Sequence, residues 1–388
     1  MRVLVVHNRY QLPGGEERVV ESEIAMLESH GHDVKLLEEL SSDIKRPIEK
    51  IKAAFGFIFS ISTYRKIVKA IDDFNPNVVH VHNYFPLVSP SVFYACKYKS
   101  VPVVHTLHNY RSICPTGLLF HEGRIDETSI RGNPFFWVRY KVYRNSGIAT
   151  FILALSIFLH RFLGTWTSKV DRFIALTEFQ KEKYILAGWP ERKIVVKPNF
   201  CDNLPDDFDS NANTGRYAIF VGRLSHEKGL DTILEAWTKI NFPLKIVGEG
   251  PLEDELLKKG PRNVDFLGKK SQASVYKLMS DADFLIVSSK CYEAFGLVVV
   301  EAFSCGTPVI APALGGLPEL VRDGANGLLY RPGDSVDLAA CIQRMVDEPE
   351  LRTKMSEIAR RDSLEKYSEP VNYAVLMSIY NDLTQRAH

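Results

Sequence analysis

Pro198-Asn-Phe-Cys-Asp-Asn-Leu-Pro-Asp-Asp207 divides the chain. Its density of Pro, Asn and Asp marks a linker, because these residues favour turns and interrupt strands and helices alike. Upstream lie Val3-Leu-Val-Val6, Val34-Lys-Leu-Leu37, Val78-Val-His-Val81, Val101-Pro-Val-Val104, Asp171-Arg-Phe-Ile-Ala-Leu176 and Lys193-Ile-Val-Val-Lys197. Downstream the same rhythm restarts with Tyr217-Ala-Ile-Phe-Val221, Leu244-Lys-Ile-Val247, Val264-Asp-Phe-Leu267, Phe284-Leu-Ile-Val287 and Val309-Ile310. Apolar runs separated by helical periods, such as the amphipathic stretch from about Glu17 to His30, describe parallel strands covered by helices on both faces. Two such series predict an α/β protein with two doubly wound, Rossmann-like domains. The expected bounds are 1–198 and 199–369, with 370–388 a terminal helix crossing back to the first domain.

Length supports two cores, since 388 residues exceed the size at which a single core keeps growing. Hydrophobic residues make up 45% and charged residues 24%, and 48 Lys and Arg nearly balance 47 Asp and Glu, for a formal charge of +1. No whole-chain field favours nucleic acid as a partner. The six cysteines, Cys96, Cys114, Cys201, Cys291, Cys305 and Cys341, contain no C-x-x-C pair, so neither zinc nor a disulfide framework is expected. A reducing, cytoplasmic compartment fits that usage. Met1-Arg-Val-Leu-Val-Val-His7 runs at once into Asn8 and Arg9, which is too short an apolar stretch for a signal peptide.

One stretch departs from the α/β rhythm. Residues 148–159, Ile-Ala-Thr-Phe-Ile-Leu-Ala-Leu-Ser-Ile-Phe-Leu, are flanked by Arg131, Arg139, Lys141, Arg144, Arg161, Lys169 and Arg172. The run falls short of the ~20 residues a bilayer span needs. It reads either as a buried helix with a solvated basic fringe or as an interfacial helix drawn to anionic lipid.

Chemistry concentrates downstream of the linker. Glu293-Ala-Phe-Gly-Leu-Val-Val-Val-Glu301 sets two carboxylates eight positions apart beside a strand end. On a helix that spacing rises ~12 Å, about the span of a nucleotide sugar, whose hydroxyls at both ends a carboxylate accepts strongly. Amides near Phe295, Gly296 and Leu297 would sit at a helix start, where the dipole favours phosphate. On spacing alone, two helix-surface glutamates are an equal reading. Phe220-Val-Gly-Arg-Leu-Ser-His-Glu-Lys-Gly-Leu230 places Arg223 and Lys228 on a loop between strand and helix, and two cations can neutralise a departing diphosphate. Taken alone they read as surface charges. Asp281-Ala-Asp283 imitates a metal-binding D-x-D, but turn chemistry between helix and strand explains it more simply. Gly248-Glu-Gly250 lacks the third glycine of a dinucleotide fingerprint and the Gly-Lys-Ser/Thr of a P-loop.

Together these segments resemble the family-4 retaining glycosyltransferases, over nearly the whole chain. The matching pieces in order are Gly14-Gly15, His105-Thr-Leu-His108, Gly222-Arg-Leu-Ser-His-Glu-Lys-Gly229, Gly248-Glu-Gly-Pro251, Glu293 to Glu301, and Gly315-Gly-Leu-Pro-Glu-Leu-Val321 leading to Asn326-Gly-Leu-Leu329. The resemblance implies a GT-B fold, with an acceptor-side first domain and a donor-side second domain facing across a catalytic cleft. It implies that Arg223 and Lys228 hold the donor diphosphate, Glu301 the ribose, and Glu293 hydroxyls of the transferred sugar. Gly14 and Gly15 would close on the phosphates, with Phe295, Gly296 and Leu297 beside them, and His108 would lie beside the donor sugar. His7, His80 and His82 are weaker candidates for the same region, and His105 reads as a strand-end neighbour.

The implied reaction is metal-independent and needs no cofactor. A UDP- or GDP-sugar donor would pass its sugar, with retention, to a saccharide acceptor, and the acceptor's proton would go to the leaving phosphate. His108-Asn-Tyr-Arg-Ser-Ile-Cys-Pro-Thr-Gly-Leu-Leu-Phe120 is similar to a subgroup that assembles polysaccharides or glycolipids, although the cysteine pair common there is absent from Glu122 to Thr128. A lipid-linked acceptor follows as an expectation, with peripheral contact through 131–172 at the inner face of the cytoplasmic membrane. The rival readings are another GT-B enzyme, such as a phosphorylase or nucleotide-sugar epimerase, and an inactive nucleotide-sugar-binding protein.

Overall fold

The computed structural model describes residues 1–10, 14–40, 56–201 and 216–385. The part of the linker from 202 to 207 and Phe55 of the aromatic run Phe55-Gly-Phe-Ile-Phe59 lie outside the described residues. Two compact units emerge: Met1–His121 with Asp126–Pro198 and Asn372–His388, and Glu122–Ile125 with Asn199–Val371.

In the first unit the strands are β1 (Arg2–Arg9), β2 (Asp33–Leu40), β3 (Val78–Val81), β4 (Val103–Thr106), β5 (Arg172–Ala175) and β6 (Ile194–Val196). They form one parallel sheet in the order β2-β1-β3-β4-β5-β6, with Val6 level with Leu37 on one side and Val81 on the other. Val3 to Val6 and Val78, Val79 and Val81 are almost wholly buried, as an apolar strand covered on both faces must be. β2 is the polar edge, and its Glu38 accepts from Arg9 at 2.7 Å. β4 starts two residues later than the apolar run suggests, beyond Pro102, which has no N–H for a ladder. Chain order reverses between β1 and β3. There Asn8 and Asn83 stitch the strand ends, Asn8 N donating to Asn83 O at 2.9 Å and Asn83 Nδ2 to Asn8 O at 3.0 Å.

The helices that matter for the first unit's chemistry are α1 (Gly15–Ser29), α2 (Gly147–Phe162) and α3 (Glu178–Leu186). Glu17 fixes the entry to α1, its carboxylate accepting from Tyr10 N at 3.0 Å and Gly14 N at 2.7 Å. The last helix runs Glu369–Gln385, and its residues from Asn372 onward belong to this unit. Within it Tyr373 stacks on His30 at 3.7 Å, and Asp382 pairs with Arg172.

In the second unit the strands are β7 (Ala218–Val221), β8 (Leu244–Val247), β9 (Val264–Gly268), β10 (Phe284–Ile286), β11 (Val309–Pro312) and β12 (Gly327–Tyr330). Their order is β9-β8-β7-β10-β11-β12, again all parallel. Counted within the unit this is 3-2-1-4-5-6, the dinucleotide-binding order, whose crevice opens where the order reverses. That point lies between β7 and β10. Ala218, Phe220, Ile233, Leu244, Ile246, Phe284 and Ile310 fill the core beneath it. No described helix is long and apolar enough to cross a membrane.

Candidate active site

The second unit's candidate residues Arg223, Lys228 and Glu293 follow the carboxyl ends of β7 and β10. After β7 the chain turns through Gly222, Arg223 and Leu224, held to the next strand's exit by Gly222 N to Val247 O at 3.0 Å and Leu224 N to Glu249 O at 3.0 Å. Gly248 allows this approach, because at φ +140° a Cβ there would stand 1.9 Å from Gly222 O. The loop continues through Ser225 to Lys228 and is tied to the exit of β10 by Ser288 Oγ to Lys228 O at 2.6 Å and Lys290 N to Glu227 O at 2.8 Å. Gly229 is required at this seam, since its φ is +66° and a Cβ would meet Ser288 O at 2.0 Å. Two loops distant in sequence therefore form one surface.

Lys228 and Glu293 meet on it. Lys228 Nζ donates to Glu293 Oε1 at 2.6 Å, and Ser289 Oγ donates to the same oxygen at 2.5 Å. Burial alone would pull the ammonium's pKa down, but the Glu293 charge raises it above its ordinary value. For Glu293 burial pushes up, and the Lys228 charge with the two hydrogen bonds outweighs it, leaving the carboxyl below its ordinary value. Both groups are thus ionised near neutrality. Arg223 is exposed earlier on the same loop.

Gly296 caps helix α4 (Leu297–Ser304). Because that helix begins only at Leu297, the stretch from Glu293 to Glu301 is a turn followed by a helix, which corrects the continuous helical rise expected from the spacing. Phe295 is buried, while Gly296 and Leu297 are part-exposed at the helix start. Glu301 lies on the helix and is 4% exposed, with Gln272 Nε2 donating to its Oε1 at 3.2 Å. Asp281 ends a helix and Asp283 faces Arg352 at 3.6 Å, as the turn reading expects.

In the first unit His108 follows β4, and its backbone is pinned on both sides: Gln180 Nε2 of α3 donates to Leu107 O at 2.8 Å, and Tyr184 OH to Asn109 O at 2.6 Å. His108 Nε2 lies 3.0 Å from His82 Nδ1, and the rings stack at 5.3 Å. Burial leads the causes that hold the His108 pKa well below its ordinary value. Behind His82 stand His80, Glu23 of α1 and Lys197, all buried. His7 is fully buried and stands 4.0 Å from Glu17, and His105 Nδ1 donates to Val81 O at 2.9 Å. Gly14 and Gly15 are exposed where α1 begins. Sequence alone assigns Ser289, Gln272, Glu23 and Lys197 no site role. Each looks like an ordinary polar residue in an amphipathic pattern until its distant partner is known.

Two family models match in succession, Glycosyltransferase Family 4 over residues 13–203 and Glycosyl transferases group 1 over residues 205–362. The chain belongs to this family of glycosyltransferases, and its two parallel-sheet α/β units are those of the GT-B fold. It is 26% identical to an uncharacterised glycosyltransferase of Methanocaldococcus jannaschii over 99% of both chains. A sucrose-phosphate synthase from Thermosynechococcus elongatus has the same fold, with a TM-score of 0.69 at 18% identity over 99% of both chains. Anabaena HepE in complex with UDP-glucose follows at a TM-score of 0.67 and 18% identity, over 98% of this chain and 100% of its own.

Proposed function

We propose that the protein is a retaining, metal-independent glycosyltransferase whose second unit holds a nucleotide diphosphate sugar. The observation that carries this reading is the Lys228–Glu293 pair at the point where the sheet order reverses. Lys228, with Arg223 exposed earlier on the same loop, offers positive charge to a departing diphosphate, which is where fixed charge lowers a transfer barrier most. Glu293 takes Lys228 and Ser289 on Oε1, which leaves Oε2 for hydroxyls of the transferred sugar. The amides at Gly296 and Leu297 suit phosphate, and Glu301, inside α4, suits the ribose. The HepE complex with UDP-glucose favours a uridine nucleotide over a guanosine one.

The step balances without an enzyme nucleophile. The acceptor oxygen attacks the anomeric carbon on the face from which the diphosphate leaves, the C–O bond to phosphate breaks, and the acceptor's proton passes to the leaving phosphate oxygen. His108 is assigned a place beside the donor sugar, and Gly14 and Gly15 a place near the phosphates. The acceptor is proposed to be a lipid-linked saccharide met at the inner face of the cytoplasmic membrane, on the strength of the apolar and basic surface of α2.

Calorimetry against a panel of UDP- and GDP-sugars, followed by NMR of the product's anomeric configuration, tests the reading. Transfer is expected to persist in EDTA and to give the donor's own configuration. Transfer abolished by chelation and restored by manganese would overturn the metal-independent mechanism, and an inverted product would overturn retention.

A further inference from the structure

The first unit contains a buried line of polar groups that ends at His108. Lys197 Nζ donates to Glu23 Oε2 at 3.1 Å and to Asn372 Oδ1 at 2.9 Å, while Asn372 Nδ2 donates to Pro198 O at 2.6 Å. Glu23 Oε1 lies 2.9 Å from His80 Nδ1 and 3.1 Å from His82 Nε2. Neither approach is aligned as a hydrogen bond at Glu23 Oε1, so the carboxylate acts on both rings through its charge. His82 Nδ1 then meets His108 Nε2 at 3.0 Å. Glu23, His80 and His82 are grouped closely enough to surround a cation, but the ammonium of Lys197 already balances the carboxylate. His80 is engaged on both nitrogens, by Tyr380 OH at 2.7 Å and Thr106 Oγ1 at 2.8 Å.

The protons of this line can be assigned. Burial pushes the Glu23 carboxyl up, but Lys197, His80 and His82 outweigh it and hold it well below its ordinary value. His82 is pushed down to about 3, chiefly by burial, and His108 is lowered as well. Two neutral imidazoles 3.0 Å apart must act as one donor and one acceptor. A carboxylate beside His82 Nε2 favours the tautomer with its proton there, so His82 Nδ1 carries the lone pair. His108 Nε2–H donates to it.

We infer that Glu23, with Lys197 as counter-ion, acts through His82 as a positioning residue that holds His108 in the Nε2–H tautomer, so that His108 presents Nδ1 as an acceptor for a hydroxyl of the donor sugar. The last clause rests on the transferase reading above; the tautomer does not.

Histidine ring nitrogen-15 NMR on the protein without substrate reads the tautomer directly. His108 is expected with its proton on Nε2. In Glu23→Gln, Lys197, which can only donate, claims the amide oxygen and turns the amide NH2 toward His82 Nε2. The charge that favoured a proton on His82 Nε2 is then gone and an N–H faces that nitrogen, so His82 accepts there and donates from Nδ1, and the His108 proton moves to Nδ1. Turnover should fall on the order of 100-fold, since a mis-set histidine tautomer strips a site of its hydrogen-bond direction, while calorimetric affinity for the free nucleotide stays within twofold. His82→Phe leaves the Glu23–Lys197 pair intact, should fold, and should lower turnover similarly. Adding Glu23→Gln to it should then cost nothing more, because the two act in series. Wild-type His108 carrying its proton on Nδ1, turnover within threefold of wild type in His82→Phe, or multiplying effects in the double variant would each overturn the inference. A protein that shows the stated tautomer but transfers no sugar from any nucleotide would overturn the transferase reading instead.

Discussion

Lys228 and Glu293 each set what the other can do. The glutamate raises the lysine's proton affinity and the lysine lowers the glutamate's, so the pair brings a fixed cation to the site without leaving a buried carboxylate uncompensated. Lys228→Ala should lower turnover by about 100- to 1000-fold, the usual loss when one preorganised charge partner of a transition state is removed. Steady-state kinetics showing an unchanged rate would take Lys228 out of the chemistry. Glu301→Gln should behave differently. Glu301 is buried on α4 beside Gln272, and its loss should weaken nucleotide affinity about tenfold, one charge-assisted hydrogen bond, with turnover at saturating donor largely kept. Normal nucleotide binding with no catalysis would reverse that division of roles. Arg223, Lys228, Glu293 and Glu301 could be singled out as candidates from sequence because glycines and strand ends bracket them. Glu23 and Lys197 could not, because 174 positions separate them and only the packed first unit shows that both are buried.

Helix α2 shows where reading an element from sequence stops. Its inward face is buried, with Leu153, Ala154 and Ile157 at most 4% exposed, Ser156 Oγ donating to Phe57 O at 3.4 Å and His160 Nε2 facing Ile58 O at 2.9 Å. Its other face is apolar too: Ile148 is 77%, Phe151 46%, Phe158 45% and Phe162 78% exposed. A helix apolar on both sides has no polar stripe to mark its outward face, so sequence alone could not choose between core and interface. Phe135 packs on Phe151 at 5.3 Å and on Phe158 at 5.8 Å, enlarging the patch, and Arg131, Arg139, Lys141 and Arg144 are exposed on neighbouring segments. Apolar side chains beside several cations match an anionic bilayer surface, where each basic residue contributes about 1 kcal/mol. The protein should float with anionic vesicles, less with neutral ones, and less again in high salt. Replacing Ile148 and Phe162, 77% and 78% exposed, together by Ser should weaken flotation while changing stability little, since exposed positions contribute little to folding. A protein that stays soluble with every lipid mixture, or unimpaired transfer to a lipid-linked acceptor after Arg139, Lys141 and Arg144 are replaced, would remove the membrane reading.

For the molecule as a whole, two parallel-sheet α/β units could be read from apolar runs because their strands are buried, whereas the order of the strands within each sheet could not. What also could not be read is how unequally titration burdens the two units. The first unit buries neutral histidines: His105 is pushed down to about 4 and His82 to about 3, chiefly by burial, and His7, His108 and His160 are lowered for the same leading reason. An unfolded chain takes up protons near 6.5, before these folded sites do. Stability is therefore full above about pH 6.5 and is lost as pH falls from there toward the folded values, at up to about 1.4 kcal/mol per pH unit for each histidine. Below about pH 4 His105 adds no further loss. Of the four tryptophans, Trp166 stacks on Trp189 at 4.8 Å, Phe93 lies 5.7 Å from Trp166, and Phe173 lies 4.4 Å from Trp189. Trp237 lies in the second unit's core, so in a Trp237→Phe background denaturant unfolding followed by tryptophan fluorescence reports on the first unit, where His105 packs against Tyr84, Phe93 and Phe173. His105→Phe keeps that aromatic packing, loses the hydrogen bond to Val81 O, and removes the proton site. Its stability relative to wild type should improve steadily as pH is lowered from 6.5 to about 4.5, and should not change between pH 7.5 and 8.5. Parallel curves for the two proteins across that range would show that His105 does not couple folding of this unit to pH.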